Sequence, residues 1–346
     1  MRNETINILS QSATNSKGGP GKVYINTIKG FDRIGQPYVI NKNPLDYKFN
    51  WVHDDINSLI FIAVHKIPCV VGPNLFILPK DMPWLLPSLK HSIYLHPAKW
   101  CTYLWENFKE CPIHVWPVGI DWELFITDRN KRDKKQVLLY FKKQHPVLKK
   151  IAIQHLEYAG YEVNIIEYGN YIEENYRIAL ESSYFGVWIG TTESQGIGLQ
   201  EALASGLPLI VLDNKNVRQI QSQALLDLPK YLEKYEATTV PYWDERCGLV
   251  INSIDELPGA INQMIENYNN FQPLAYIKEN LSMEGCAQQL VNQFSHIEDK
   301  ITLFYAKSVK SNAYKKTVIL VIKILFKFRS NLKRLYRKVY RTIKKF

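Results

Sequence analysis

Short apolar runs alternate with longer stretches of helical period through the first 300 residues, the rhythm of βαβ units that predicts parallel sheets covered on both faces. The first strand is expected at residues 6–9, and SQSATNSKGGPGK leads from it to a helix from Val23 to about Lys29. PYVINKN (37–43) and FNWVHDD (49–55) then read as strands, residues 55–67 as a helix, and PCVVGPNLFILP (68–79) as a further strand. SIYLHPAKWCTYLWEN (92–107) is a strand feeding a helix, and HVWPVGIDWELF (114–125) follows. DRNKRDKK (128–135) is charged and free of apolar residues, as a linker would be. A second series opens with the apolar strand QVLLYF (136–141), which ends at Lys142, Lys143 and Gln144. Another strand is expected at 163–166, an acidic helix after Tyr168, Gly169 and Asn170, an amphipathic helix at 217–231, and closing helices at 254–269 and 277–294.

The densest chemistry lies in YFGVWIGTTESQGIGLQEALASGLPLIVLD, residues 184–213. The apolar run 185–189 enters a turn rich in Thr, Ser and Gly. A helix follows at about 199–205, and Gly206 stands where a left-handed helix end is needed before the strand 207–212. Glu193 and Glu201 flank the loop 194–198, so both carboxylates can face one ligand. Gly196 and Gly198 leave the amides around Ile197 unshielded at a helix N-terminus, where unpaired donors and the helix dipole favour an anion such as phosphate. Amides for phosphate and carboxylates for hydroxyls suit a sugar nucleotide. Paired Glu residues near a helix start can equally be capping groups.

This segment resembles the signature of retaining GT-B glycosyltransferases of the family 4 type. In that family two Glu with seven residues between them surround a glycine-containing loop and precede a helix and a GxP strand. The matching positions here are Glu193, Glu201, Gly206 and Pro208, with Gly196 at the third place of the loop. Ser194 and Gln195 stand where the family usually has Gly and Phe. The resemblance covers roughly residues 1–300, most strongly 130–215. It implies an α/β protein of GT-B fold, two Rossmann-like domains facing a cleft: an acceptor domain at 1–127 and a nucleotide-sugar domain at 128–300, with VGID (118–121) where the chain crosses between them.

The same resemblance implies a metal-independent transfer of a sugar, with retained configuration, from a nucleotide-sugar donor to a hydroxyl of a glycan or lipid-linked acceptor. Glu193 would meet donor-sugar hydroxyls and Lys142 the departing diphosphate, the two catalytic candidates. Gly19, Lys142, Lys143, Gly196, Ile197, Gly198 and Glu201 are the expected nucleotide-sugar contacts, Glu201 on the ribose. The family's second diphosphate cation falls near Val147 here, leaving Lys143, Lys149 and Lys150 as candidates. No cofactor beyond the donor is expected, and no metal: there is no DxD, and His91 and His96, five apart, do not share a helix face. No local pattern singles out one of His53, His65, His91 and His96. The glycine stretch fits neither a Walker loop, given Ser16 and Val23, nor the dinucleotide fingerprint, given Tyr24. The alternative reading is a catalytically silent GT-B module that binds glycans or scaffolds a membrane complex.

Charge divides the 346-residue chain sharply. Of 43 Lys and Arg, 14 lie in residues 307–346, which hold no Asp or Glu; the remainder carries 29 basic against 33 acidic residues, a net −4, and does not indicate a nucleic-acid-binding body. The third segment, 301–346, is therefore a basic tail. Within it Leu325, Phe328, Leu332, Leu335, Val339, Ile343 and Phe346 recur at steps of three and four between Lys and Arg. That predicts a basic amphipathic C-terminal helix over 317–346, suited to an anionic membrane surface or to packing on the protein itself. Five widely spaced cysteines without a CxxC pair, and no apolar stretch of signal or transmembrane length, lead to the expectation of a cytoplasmic protein peripheral to a membrane's inner face.

Overall fold

The computed structural model describes residues 4–15, 18–76, 78–81, 86–219 and 230–308. The tail expected at 317–346 and most of the helix expected at 217–231 lie outside them.

The first half runs β1 (Ile6–Leu9), α1 (Gly18–Ile34), β2 (Tyr38–Ile40), β3 (Phe49–Val52), α2 (Ile56–His65), β4 (Val70–Val71), β5 (Ile93–His96), α3 (Lys99–Tyr103) and β6 (Ile113–Val115). Its six strands pair in parallel in the order β2-β1-β3-β4-β5-β6. All residues of β1, β3 and β5 are buried, as strands covered on both faces must be. α1 begins inside the glycine stretch, five residues before the expected Val23. Gly18 enters it at φ +71, and Pro20 sits in the first turn, where its missing N–H leaves no bond unmade. The strand expected at 68–79 shrinks to β4, after which Gly72 turns the chain at φ +95.

The second half runs β7 (Asp133–Phe141), α4 (Pro146–Tyr158), β8 (Glu162–Glu167), α5 (Glu173–Ser182), β9 (Ser183–Ile189), α6 (Ile197–Ala204), β10 (Leu209–Leu212), β11 (Gly248–Ile251), α7 (Leu257–Glu266), α8 (Pro273–Asn280) and α9 (Met283–Gln293). Its strands are parallel in the order β11-β10-β9-β7-β8. β7 shows how the sequence builds two layers. Leu138 and Tyr140 pack on one face with Trp188, Leu203 and Tyr176, while Val137, Leu139 and Phe141 pack on the other with Leu156, Ile210 and Ile261. Part of the charged stretch expected as a linker is already strand, since β7 starts at Asp133. Gly206 ends α6 at φ +77, and Arg132 donates to the Ser205 carbonyl at 2.6 Å, a cation at the helix C-terminus.

The closing helix expected at 277–294 is two helices, broken at Leu281 and Ser282. The Leu281 carbonyl accepts from the Ile120 amide at 2.8 Å, and Ser282 caps α9 by accepting from the Gly285 amide. α9 then lies against the first half. A Cβ on Gly30 of α1 would stand 2.8 Å from the Met283 carbonyl oxygen, so only glycine admits that approach. Trp116 Nε1 donates to the Cys286 carbonyl at 2.8 Å, and Phe49 stacks on Phe294. Between the halves, the buried Asp121 of the VGID crossing accepts from Lys29 and Arg33 of α1 at 2.8 and 2.7 Å. Residues 1–298 thus form one unit holding both sheets. A second unit starts at 299, and its described part is the rest of helix α10 (Glu298–Ser308). The five cysteines are buried, none of them in a disulfide, and no helix among the described residues is long and apolar enough to cross a membrane.

Candidate active site

Both sheets reverse their strand order beside their first strand: β1 lies between β2 and β3, and β7 between β8 and β9. In open parallel sheets that is where a crevice opens beyond the carboxyl ends of the strands. One cavity of about 400 Å³ takes its walls from both crevices. Gly18, Gly19 and Lys22 enter it from the segment after β1, Lys142 from the end of β7, and residues 193–199 from the turn after β9.

The second-sheet wall is built by backbone geometry. Lys142 N donates to the Ile189 carbonyl at 2.9 Å, which holds the ends of β7 and β9 level. The Lys142 ammonium then reaches Glu193 Oε1 at 2.6 Å, both side chains mostly buried. Glu193 is fixed through its backbone as well: its amide donates to the Thr238 carbonyl and its carbonyl accepts from Trp100 Nε1, each at 2.9 Å. Gly196, at φ +81, turns the chain into α6, and no side chain caps the amides that follow. The first amides of a helix have no partner within it, and the dipole makes this end attractive to anions. Tyr140 and Trp188 stack as the floor, centroids 3.7 Å apart. A Cβ on Gly198 would stand 3.7 Å from Trp188 Cη2, so glycine here keeps the floor open.

Glu201 lies one turn into α6, behind the rim. Lys22 Nζ, coming from α1 on the other wall, contacts both of its carboxylate oxygens at 2.8 Å and Glu173 at 3.3 Å. Burial pushes the Glu193 and Glu201 carboxyls above the usual carboxylate range, and Lys142 and Lys22 pull each back only in part. Burial opposes the charge on Lys22, but the contact with Glu201 outweighs it and holds its pKa above the ordinary value. The site therefore carries two carboxylates that bind a proton more readily than usual, each held by one ammonium.

Of the residues expected from sequence, Gly19, Lys142, Glu193, Gly196, Ile197 and Gly198 line this cavity. Glu201 reaches it through Lys22. Lys143, with φ +51, places its ammonium 5.5 Å over the Tyr168 ring, which is itself part of the wall. Lys149 is paired with Glu167. Three features were not foreseen. Lys22 was hidden in a stretch read as a loop, where a helical register would have aimed it at the cleft. The Tyr140–Trp188 floor follows from strand alternation in β7 and β9. Gln195, in place of the usual Phe, is a polar clasp: its Oε1 accepts from the Val118 amide at 3.0 Å, and its Nε2 donates to the Val118 carbonyl at 2.7 Å and to Gln200 at 3.0 Å. It ties the loop to the VGID crossing.

The structure also separates the histidines. His53 belongs to a network with Ser10, Asn74 and Asp54. Despite burial, hydrogen bonds from His53, Ser12 and Ser10 hold the Asp54 carboxyl well below its usual range. His96 instead lines a second chamber of about 310 Å³, with Leu75, Phe76, Trp100 and Leu104, which shares Pro20, Asn74, Pro97 and Ser194 with the first. Its Nε2 is buried without a hydrogen-bond partner, and burial lowers its pKa to about 3.

Two parallel Rossmann-like sheets with crevices on one shared cavity define the GT-B fold. No protein-family model matches the chain, and no curated protein does. Solved structures do. Sucrose-phosphate synthase from Thermosynechococcus elongatus aligns over 86% of this chain and 100% of its own, with TM-score 0.52 and 10% identity. The lipopolysaccharide outer core galactosyltransferase WaaB in its apo form aligns over 84% and 99%, with TM-score 0.53 and 13% identity. The chain has the GT-B fold.

Proposed function

We propose that the protein is a retaining glycosyltransferase that moves a sugar from a nucleotide-sugar donor to a hydroxyl of a glycan or lipid-linked acceptor. The observation that carries this reading is the union, on one cavity wall, of the Lys142–Glu193 pair with the uncapped amides of α6. The two structural neighbours named above, one a synthase of a sugar phosphate and the other a galactosyltransferase, are in keeping with it. In this reading the amides after Gly196 and the Lys142 ammonium take the diphosphate, Glu193 the donor-sugar hydroxyls and Glu201 the ribose hydroxyls. The bond from the anomeric carbon to the phosphate oxygen breaks as the acceptor oxygen bonds to the same face, and the departing diphosphate takes the acceptor proton. Fixed donors aimed at the leaving oxygens supply the stabilisation.

The second chamber supports an acceptor with an apolar portion beside its hydroxyl. Its walls are mostly aliphatic and aromatic. Residues 317–346, basic and amphipathic in sequence, would hold the protein on an anionic membrane surface from the cytoplasmic side. Flotation with anionic vesicles, before and after deletion of 317–346, tests that part; equal soluble fractions refute it.

Transfer itself is tested with UDP-, GDP-, ADP-, CDP- and dTDP-linked sugars, following release of the sugar and its anomeric form by NMR. The expected result is slow turnover of one donor class, with the product first appearing in the donor's own configuration. Inverted product overturns retention. No turnover or binding of any donor, with glycans bound, would favour a silent glycan-binding module.

A further inference from the structure

The charged side chains that line the main cavity, with the Glu201 behind it, do not balance for a diphosphate. Lys142 is already matched by Glu193, and Lys22 is outnumbered by Glu201 and Glu173. A ligand bearing two or more negative charges needs a cation that can be released to it. Lys142 is poorly suited to leave, since both members of its pair are mostly buried and its backbone is bonded into the strand ends. Lys22 is freer to move. Its side chain is about one-third exposed, it lines the cavity, and it reaches Glu201 from a helix 179 positions earlier in sequence. An ammonium on a four-carbon stem redirects its three donors by bond rotation alone.

We propose that Lys22 is the second cation of the diphosphate site, delivered from the opposite wall, and that it exchanges Glu201 for phosphate oxygens as the ribose hydroxyls take over that carboxylate. The proposal rests on the nucleotide-sugar reading above and extends it. Exchange conserves partners: Glu201 gives up an ammonium and gains two hydroxyls, Lys22 gives up a carboxylate and gains a phosphate. Because Lys22 belongs to α1 and the amides to α6, one diphosphate then bridges the two sheets. The bridge that Lys22 makes to Glu201 passes to the ligand, which confines tight binding to ligands carrying both ribose and diphosphate.

The test measures binding of UDP, GDP, ADP and CDP, and of the matching nucleoside, to the full chain by calorimetry, for the wild type, Lys22→Met and Lys22→Arg. Met keeps the apolar stem and removes the charge. Lys22→Met is expected to weaken the preferred nucleoside diphosphate on the order of 10- to 100-fold while leaving the nucleoside unchanged or slightly tighter. It should also flatten the salt dependence of diphosphate binding, and Lys22→Arg should recover most of the loss. Equal weakening of nucleoside and diphosphate would make Lys22 a structural latch and overturn the proposal, as would no weakening of either. If the wild type binds no nucleoside diphosphate at all, the underlying donor reading falls and this proposal falls with it; if the wild type binds one and Lys22→Met binds it equally well, this proposal alone is refuted.

Discussion

Replacing Lys142 with Met would leave the Glu193 carboxylate in its pocket without the ammonium that contacts it at 2.6 Å. Removing one partner of a buried ion pair commonly costs about 3–5 kcal/mol. Here the loss has a ceiling, because the carboxyl can take up a proton instead. At pH 7, protonating a carboxyl of ordinary pKa 4.5 costs about 3.4 kcal/mol, and at pH 5 about 0.7 kcal/mol, at 1.36 kcal/mol per unit. Burial already pushes this carboxyl up with Lys142 present, so part of that cost is borne by the wild type and the difference must be smaller still. The sign follows from linkage: a carboxyl whose folded pKa is raised holds its proton more tightly in the native state, so stability falls as pH rises from the unfolded pKa to the folded one. Lys142→Met widens that interval. Urea unfolding of both proteins at pH 5, 6 and 7 should give nearly equal stabilities at pH 5 and a gap that grows with pH to at most about 3.4 kcal/mol at pH 7. A gap that is constant across this range would mean that Lys142 acts on stability through packing rather than charge. One that shrinks with rising pH would contradict the burial argument outright.

Other perturbations separate the remaining parts of the site. Gln195→Ala removes both hydrogen bonds to Val118, and two buried backbone groups left unpaired should cost roughly 2–4 kcal/mol, read by denaturant unfolding; a loss under about 0.5 kcal/mol would show that the clasp does not hold the loop to the crossing. Gly196→Ala must adopt φ +81 and should lose about 1–2 kcal/mol, whereas Gly198→Ala meets only ordinary contacts and should unfold like the wild type while weakening donor binding through the narrowed floor. His96, lowered to about 3, contributes stability that is present above its unfolded pKa near 6.5 and lost as pH falls from there toward 3. His96→Leu should therefore gain on the wild type by up to about 1.4 kcal/mol per pH unit below 6.5, and parallel acid-unfolding curves would refute the neutral, buried imidazole.

The layered architecture could be read from sequence because parallel strands buried on both faces tend to be apolar runs; residues 137–141 and 185–189 are such runs, and 6–9 is one broken only by the hydrogen-bonded Asn7. Helix starts and breaks were less visible. α1 begins at glycines that local propensity assigns to a loop; packing of its Gly30 on Met283 and its charges on Asp121 decide otherwise. The break at 281–282 has no glycine or proline to announce it, since it is set by the Ile120 amide on the Leu281 carbonyl, a partner more than 150 positions away. Short strands such as β4 failed for a similar reason: Leu75, Phe76 and Leu78 lie outside the ladder, and the Phe76 amide donates to the Tyr94 hydroxyl of β5 instead.

At the site, residue types near one another in sequence were legible and their long-range partners were not. The two carboxylates, the glycines between them and the lysine after β7 all sit within or beside one βαβ unit, so their common direction follows from strand and helix geometry. Which cation faces Glu201 depends on how the two sheets meet. Glu201, expected from sequence to meet hydroxyls, is held by a lysine of the first half; Gln195, a departure from the resembled pattern, proves to be the residue that fastens the loop before α6 to the crossing between the halves. Both facts point the same way. The loop is positioned from outside its own unit, by Val118, Trp100 and Lys22, so its amides keep their orientation only while the two sheets stay together. A ligand that draws on both walls would then strengthen the arrangement that binds it, and the cleft becomes the place where folding stability and recognition are set by the same contacts.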